Sequence, residues 1–202
     1  REVVLPSTLQ SIGSYAFERT DITEVALPAG LRSIGSCAFE GTKLTQIVLP
    51  AGLQSVGRRA FYGCDALAEV TAENPDTVYE TGCFEGTPFI KDGKTAVNGA
   101  IYLGNTLIAL HGAGEELEVR YGTVRVLSLI SDEVQVLKLP ASLVKFPSFG
   151  NSTFDLPALR EVWLGEAPDE FEASFKANSL SFYSDAEQLL VHVPKAFTFG
   201  GT

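Results

Sequence analysis

The sequence has few of the residues that carry enzymatic chemistry. Among its 202 residues there are no Met, one Trp, two His and three Cys. The two histidines, His111 and His192, lie far apart in the chain. It contains no nucleophile elbow, zinc-binding His-Glu motif, phosphate-binding loop or dinucleotide-binding glycine motif. We therefore expect no enzymatic activity, no catalytic residues, no metal site and no cofactor.

Positive charge is also scarce. Lys and Arg total 15 against 25 Asp and Glu, which gives a formal net charge of −10. This balance argues against binding to nucleic acid, which requires a basic surface, and against docking on anionic lipid. No apolar run approaches the roughly 20 residues of a membrane span, so we expect no membrane insertion within this segment. The chain begins at Arg1 in the register of a repeat, and we expect a processed product or an excerpt.

What the chain does contain is a repeated unit. Three similar segments follow one another: VVLPSTLQSIGSYAFERTDITE (3–24), VALPAGLRSIGSCAFEGTKLTQ (25–46) and IVLPAGLQSVGRRAFYGCDALAE (47–69). One Leu position and one Phe position each recur every 22 residues, at Leu5, Leu27 and Leu49 and at Phe17, Phe39 and Phe61. A fixed period of about 20 to 29 residues with Leu-x-x-Leu spacing is typical of a stacked leucine-rich solenoid.

One copy shows how a coil forms. In Val25–Leu27 the outer two residues face one way and Ala26 the other, and Pro28 ends the strand because it has no N–H to donate. Phe39 closes the coil against its neighbours. We predict a leucine-rich repeat solenoid, α/β by convention, with short parallel strands on the concave side, a mostly irregular or 3-10 convex side and one β-hairpin insertion.

These residues also carry a family resemblance. The pattern L-P-x-x-L-x-x-I-G-x-x-A-F, followed by Thr or Cys and then Leu or Ile, runs from Leu5 to Ile22 and from Leu27 to Leu44. It resembles the BspA-like (treponemal-type) leucine-rich repeat, strongly through about residue 87 and partially beyond. The resemblance implies a curved solenoid of the kind used in bacterial surface and secreted proteins, including adhesins.

The rest of the chain departs from the period. We predict one domain over 1–202, with regular coils in 1–87, a hairpin insertion in 88–116, and degenerate coils with a C-terminal cap in 117–202. In the insertion, apolar runs over Ala100–Leu103 and Thr106–Leu110 flank Gly104-Asn105, which favours a hairpin turn. The hairpin is either an edge cover or a binding element. Further strands are expected near 117–120, 137–140, 162–165 and 190–194, with a helical turn over Ala173–Leu180.

The odd number of cysteines argues against a disulfide framework. Cys64 takes a Thr position of the repeat and Cys83 an Ala position, so both should be buried. Cys37 aligns with Tyr15 and Arg59 and should be exposed. No C-x-x-C motif supports a metal or redox site.

A binding face follows from strand alternation, because the residue between two buried strand residues points to solvent. That row is Val4, Ala26, Val48, Thr71, Glu118, Lys138, Trp163 and His192, preceded on their strands by Glu24, Gln46, Glu69 and Glu161. Our hypothesis is a contact patch of Lys138, Trp163 and His192, with Glu161 and Glu118 at its edge. The alternative is that the loop at 149–159 or the tail covers Trp163.

Together these observations predict a non-enzymatic bacterial cell-surface or secreted interaction module. It would bind an extracellular protein or glycan in an adhesin-like role, and the resemblance implies host matrix among the candidate partners. One alternative is a structural spacer in a larger surface protein, with no ligand of its own. Another is an enzyme with a pocket between the 88–116 insertion and the C-terminal coils.

Overall fold

The computed structural model describes residues 1–140, 153–164 and 190–192; for 153–155, 164 and 190–192 it gives the backbone alone. The chain forms two compact units, Arg1–Thr95 and Ala96–Thr202, called here the first and second unit. The predicted helical turn at Ala173–Leu180, the tail and residues 149–152 of the predicted loop lie outside the described residues. In the described part of that loop, Thr153–Asp155 form a strand where a loop was predicted. The one-domain prediction stays a prediction.

Each coil of the first unit contributes two short strands. The earlier strands are β1 (Glu2–Val4), β3 (Glu24–Ala26), β5 (Gln46–Leu49) and β7 (Glu69–Ala72). β1 pairs with β3 and β5 with β7, all in parallel, and β3 and β7 lie within one residue of their predicted positions. The later strands are β2 (Ser11–Ile12), β4 (Ser33–Ile34), β6 (Ser55–Val56) and β8 (Val78–Tyr79), which form a four-stranded parallel sheet that the sequence did not predict.

The Ala-Phe segments join the coils on a further side by backbone hydrogen bonds. Phe17 N–H donates to the Ala38 carbonyl at 2.8 Å, and Phe39 N–H to the Ala60 carbonyl at 2.7 Å. Left-handed backbone precedes each Phe, with φ of 61°, 55° and 55° at Tyr15, Cys37 and Arg59. Because alternate N–H groups point to the next coil or back within the same turn, this irregular segment satisfies its backbone donors without a strand.

The core of the first unit is a column of phenylalanines. Phe17, Phe39, Phe61 and Phe84 stack with centroid separations of 5.1, 5.2 and 5.3 Å and interplanar angles of 14° or less. Phe89, in the short helix α1 (Pro88–Lys91), packs edge-on against Phe84 at 5.7 Å and closes the column. The stacking of equivalent side chains, which defines a solenoid, is therefore confirmed.

Two glycines allow neighbouring coils to approach closely. A Cβ on Gly35 would lie 2.5 Å from the Ser14 backbone nitrogen, and one on Gly57 would lie 2.7 Å from that of Ser36. Real Cβ atoms do not make such contacts, so any other residue would push the coils apart. Gly13 holds the same repeat position, yet a Cβ there would meet nothing within 4 Å.

The three cysteines are all free and buried. The predicted burial of Cys64 and Cys83 is confirmed, and Cys64 Sγ lies 3.0 Å from the Phe39 carbonyl oxygen. The predicted exposure of Cys37 is wrong, because only 9% of it is accessible. Tyr15, the equivalent residue of the preceding coil, is 60% exposed.

The second unit begins with the predicted hairpin. β9 (Ala100–Leu103) and β10 (Thr106–Leu110) pair antiparallel around Gly104-Asn105, with a bulge between Leu107 and Ala109. β10 also pairs in parallel with β12 (Arg125–Val126), so the hairpin adds directly to a coil strand. Most of its side chains are buried, and this favours the edge-cover alternative.

The other strands of the second unit stack in parallel. β11 (Glu116–Glu118), β14 (Val136–Leu139), β16 (Glu161–Leu164) and β17 (Leu190–His192) form a four-stranded sheet, and β13 (Ser128–Ile130) pairs with β15 (Thr153–Asp155). Leu117, Leu137 and Val162 are 0% exposed and form one side of the core. Each predicted strand after the hairpin is present, within a few residues of its predicted bounds.

Candidate binding face of the second unit

The sheet of the second unit aligns the predicted patch residues on neighbouring strands. In the observed register Glu118 pairs with Lys138, Lys138 with Trp163, and Trp163 with His192. A second row, two residues earlier on each strand, consists of Glu116, Val136, Glu161 and Leu190. Adjacent strands lie about 4.8 Å apart, so these positions are contiguous. The side chain of His192 is outside the described part of the chain.

The patch side chains point away from the core. Residues that alternate with them, such as Leu137 and Val162, are fully buried, while Glu118 is exposed and Trp163 is 43% exposed. Lys138 keeps 38% of its side-chain surface. The alternation argument therefore gave the right facing for Glu118, Lys138 and Trp163. Their role in binding remains a prediction.

Lys138 is not a free cation, because it is bound within the face. Its Nζ donates to Glu116 Oε1 at 2.5 Å, and this hydrogen bond raises the pKa of Lys138 above its usual value. Sequence reasoning missed Glu116. Its signal was present, since Glu116 precedes Glu118 by two residues on one strand and must share its face.

Trp163 is oriented by a neighbour on its own strand. Its indole Nε1–H donates to Glu161 Oε2 at 3.2 Å. The polar edge of the ring thus has a partner within the protein, while 43% of the residue stays exposed to solvent. The sequence placed Glu161 on this face, but its hydrogen bond with Trp163 was seen only in the structure.

The resulting surface is aromatic and acidic. We call the outward side chains of Glu116, Glu118, Lys138, Glu161 and Trp163 the second-unit face. This set contains three carboxylates and one ammonium, so its formal charge is negative. Within the described ranges, no group of three His, Cys, Asp or Glu residues is arranged to hold a metal ion. Across those same residues, no helix has the length and apolar character to cross a membrane.

The equivalent face of the first unit lies on two separate parallel strand pairs and carries different side chains. Its outward residues are Val4, Ala26, Val48 and Thr71, with Glu2, Glu24, Gln46 and Glu69 two positions earlier. Val4 is 85% exposed and Val48 is 52% exposed. We call this set the first-unit face. It is also acidic, but it carries no aromatic ring and no cation.

Comparison with known families identifies the repeats. The profile described as the BspA type leucine rich repeat region matches residues 1–98 with six copies. Residues 1–98 of this chain are BspA-type leucine-rich repeats. The resemblance drawn from the L-P-x-x-L and A-F pattern is therefore confirmed, and it is most regular in the part of the chain that the profile covers. No curated protein matches the chain significantly.

Three solved structures of bacterial proteins, two of them described as leucine-rich, have low similarity to this chain. A leucine rich cell surface protein from Faecalibacterium prausnitzii A2-165 is 23% identical with a TM-score of 0.41, over 80% of this chain and 40% of that one. The pneumococcal vaccine antigen PcpA is 16% identical with a TM-score of 0.43, over 96% and 79% of the chains. A leucine-rich repeat protein from Bacteroides ovatus ATCC 8483 is 16% identical with a TM-score of 0.39, over 94% and 60%. This chain thus spans 40% of the first protein's length.

Proposed function

We propose that this chain is a non-enzymatic interaction module of a bacterial cell-surface or secreted protein. In this proposal it binds an extracellular protein or glycan through the second-unit face, in an adhesin-like role with host matrix among the candidate partners. The observation that carries the proposal is Trp163, an aromatic residue held at 43% exposure on a sheet face by its hydrogen bond to Glu161.

The physical support is that an exposed apolar ring is unfavourable in water and gains free energy when a partner covers it. Trp is enriched among residues that dominate binding energy. The surrounding carboxylates form a polar rim, as interfaces usually have. A sheet face of this kind favours affinity from several modest contacts spread along the strands.

A binding screen with two variants tests the proposal. The purified chain is measured against immobilised matrix proteins and a glycan array, alongside Trp163→Ala and Tyr121→Ala. Tyr121 is a matched control because it is an exposed aromatic of the same unit, 81% accessible and outside the face. We expect saturable binding that Trp163→Ala weakens about 30-fold and Tyr121→Ala leaves unchanged.

The same screen addresses the spacer alternative. A spacer with no ligand of its own would give no saturable binding to any protein or glycan. Equal losses from Trp163→Ala and Tyr121→Ala would instead point to a general aromatic stickiness. Either result contradicts the proposal that the second-unit face is a binding site.

A further inference from the structure

The first-unit face carries two parallel rows of side chains with different chemistry. One row is apolar or small and consists of Val4, Ala26, Val48 and Thr71. The other row lies two residues earlier on each strand and consists of Glu2, Glu24, Gln46 and Glu69. All of these residues are exposed. Residues two apart on a strand are separated by about 6.8 Å, so an apolar stripe and an acidic stripe run side by side along the stacked coils.

Within the part of the chain that the structure describes, no cation pairs with the acidic row. The ion pairs found there involve none of Glu2, Glu24 and Glu69. Glu2 and Glu24 are also directly opposite each other in the register of β1 and β3, and like charges in that position destabilise a sheet. A cation supplied by a partner would therefore relieve a repulsion as well as add an attraction.

The spacing of the coils selects the conformation of a partner that lies along these rows. Successive coils are 5.1, 5.2 and 5.3 Å apart, measured between the ring centroids of the phenylalanine column. An α-helix advances about 5.4 Å per turn, so a helix laid along the stack places one turn on each coil. An extended strand repeats its same-side residues about every 6.8 Å, so its side chains would not stay aligned with the coils.

We propose that the first-unit face binds a basic amphipathic helix of a partner protein. The apolar stripe of the helix lies on the row from Val4 to Thr71, and its adjoining lysine or arginine side chains contact Glu2, Glu24 and Glu69. Four coils correspond to three turns, or about 11 residues of helix. This binding goes beyond the proposed function, because it uses a different surface in the other unit and does not depend on Trp163.

A synthetic helical peptide tests the proposal by calorimetry. The probe is an amidated peptide of about 15 residues built from Ala, Leu and Lys, with Leu along one stripe and Lys along the adjoining one. One control peptide has the same composition in an order that removes the stripes. A second control has Pro in place of a central Ala, which breaks the helix. We expect saturable binding of the probe that weakens as salt rises, and about tenfold weaker binding of both controls.

Variants of the protein locate the binding. Ala26→Arg places a long cationic side chain in the middle of the apolar row and should weaken the probe at least about tenfold. Glu24→Gln should weaken it about two- to five-fold, because one carboxylate of the acidic row is lost. Glu85→Gln is the matched control, since it is the same change at an exposed carboxylate of the same unit outside the face, and it should change nothing. Trp163→Ala should also leave the affinity for the probe unchanged.

Several outcomes would overturn the proposal. No saturable binding of the probe, equal binding of either control peptide, full binding by Ala26→Arg, or equal effects of Glu24→Gln and Glu85→Gln would each contradict a basic helix on the first-unit face. A loss from Trp163→Ala as large as that from Glu24→Gln would contradict it too, and would leave the proposed function standing. Absence of any Trp163-dependent partner in the wider screen would defeat the proposed function and leave the helix site standing.

Discussion

The two units of this chain share a strand geometry and differ in what they present on it. The first unit repeats almost the same sequence in each coil, and its face holds small residues such as Ala26 and Val48. The second unit has coils of unequal length, and its face holds Lys138 and Trp163. Packing constrains inward positions in both units. Outward positions are under no such constraint, so they are where function can differ.

The aromatic column is present in the first unit and absent from the described part of the second. Disturbing it should have the largest effect on stability. Phe61→Ala removes a fully buried ring from between Phe39 and Phe84. We expect a loss of about 3–5 kcal/mol in the free energy of unfolding, measured by denaturant titration. The control is Val48→Thr, a similar shape at an exposed site, which should stay within about 0.5 kcal/mol. Equal effects would contradict the column as core.

A smaller difference in stability is expected between substitutions of two glycines that share one repeat position, Gly35 and Gly13. Gly35→Ala places a Cβ 2.5 Å from the Ser14 backbone nitrogen, whereas Gly13→Ala meets nothing within 4 Å. The first should cost about 1–3 kcal/mol, because the neighbouring coil backbone must shift. The second should be neutral or slightly stabilising, since Ala restricts the unfolded chain more than Gly does. Thermal denaturation of both variants decides this, and equal midpoints would contradict the close coil approach.

A graft tests whether ring and carboxylate are sufficient. On β5 the residues Gln46 and Val48 occupy the positions that Glu161 and Trp163 occupy on β16. The double change Q46E and V48W, made in the W163A background, should raise the affinity for the partner found in the binding screen by about three-fold over that background. V48W alone should restore less. No recovery in calorimetry would mean that the second-unit face depends on more than this pair.

The smallest expected effect is on how the stability of the fold depends on pH. Burial raises the pKa of the Cys83 thiol well above its usual value of 9.0. The folded state therefore favours the neutral thiol, whose stabilising contribution is complete below pH 9 and is lost as the pH rises above it. We expect the denaturation midpoint of wild type to fall more steeply above pH 9 than that of Cys83→Ala, which restores the repeat's usual residue. Parallel slopes would contradict this contribution.

The sequence was most informative where residues repeat. Phe17, Phe39 and Phe61 recur at a fixed step, so their stacking followed from the period alone. The sheet of Ser-Ile strands was not predicted, because two-residue strands leave no alternation to detect. The exposure of Cys37 was predicted wrongly because it was taken from Tyr15 and Arg59, larger side chains at the same repeat position that are exposed.

The candidate site was predicted only in outline. Alternation along β14 and β16 placed Lys138 and Trp163 outward, because period-two facing is readable from sequence. The ion pair of Lys138 with Glu116 joins two strands whose register depends on the length of the coil between them, and that coil is not a regular copy. For this reason the sequence predicted Lys138 as a cation of the patch, whereas in the structure Glu116 neutralises it and the face as a whole is acidic.

Quenching of Trp163 fluorescence tests the central claim, that the second unit presents an exposed ring in an acidic setting. With one Trp in the chain, emission and quenching report this residue alone. We predict that neutral acrylamide quenches it readily and that cationic caesium quenches it more efficiently than anionic iodide at low salt, because nearby carboxylates concentrate cations. Blue-shifted emission that acrylamide does not quench would contradict the exposure, and stronger quenching by iodide would contradict the charge.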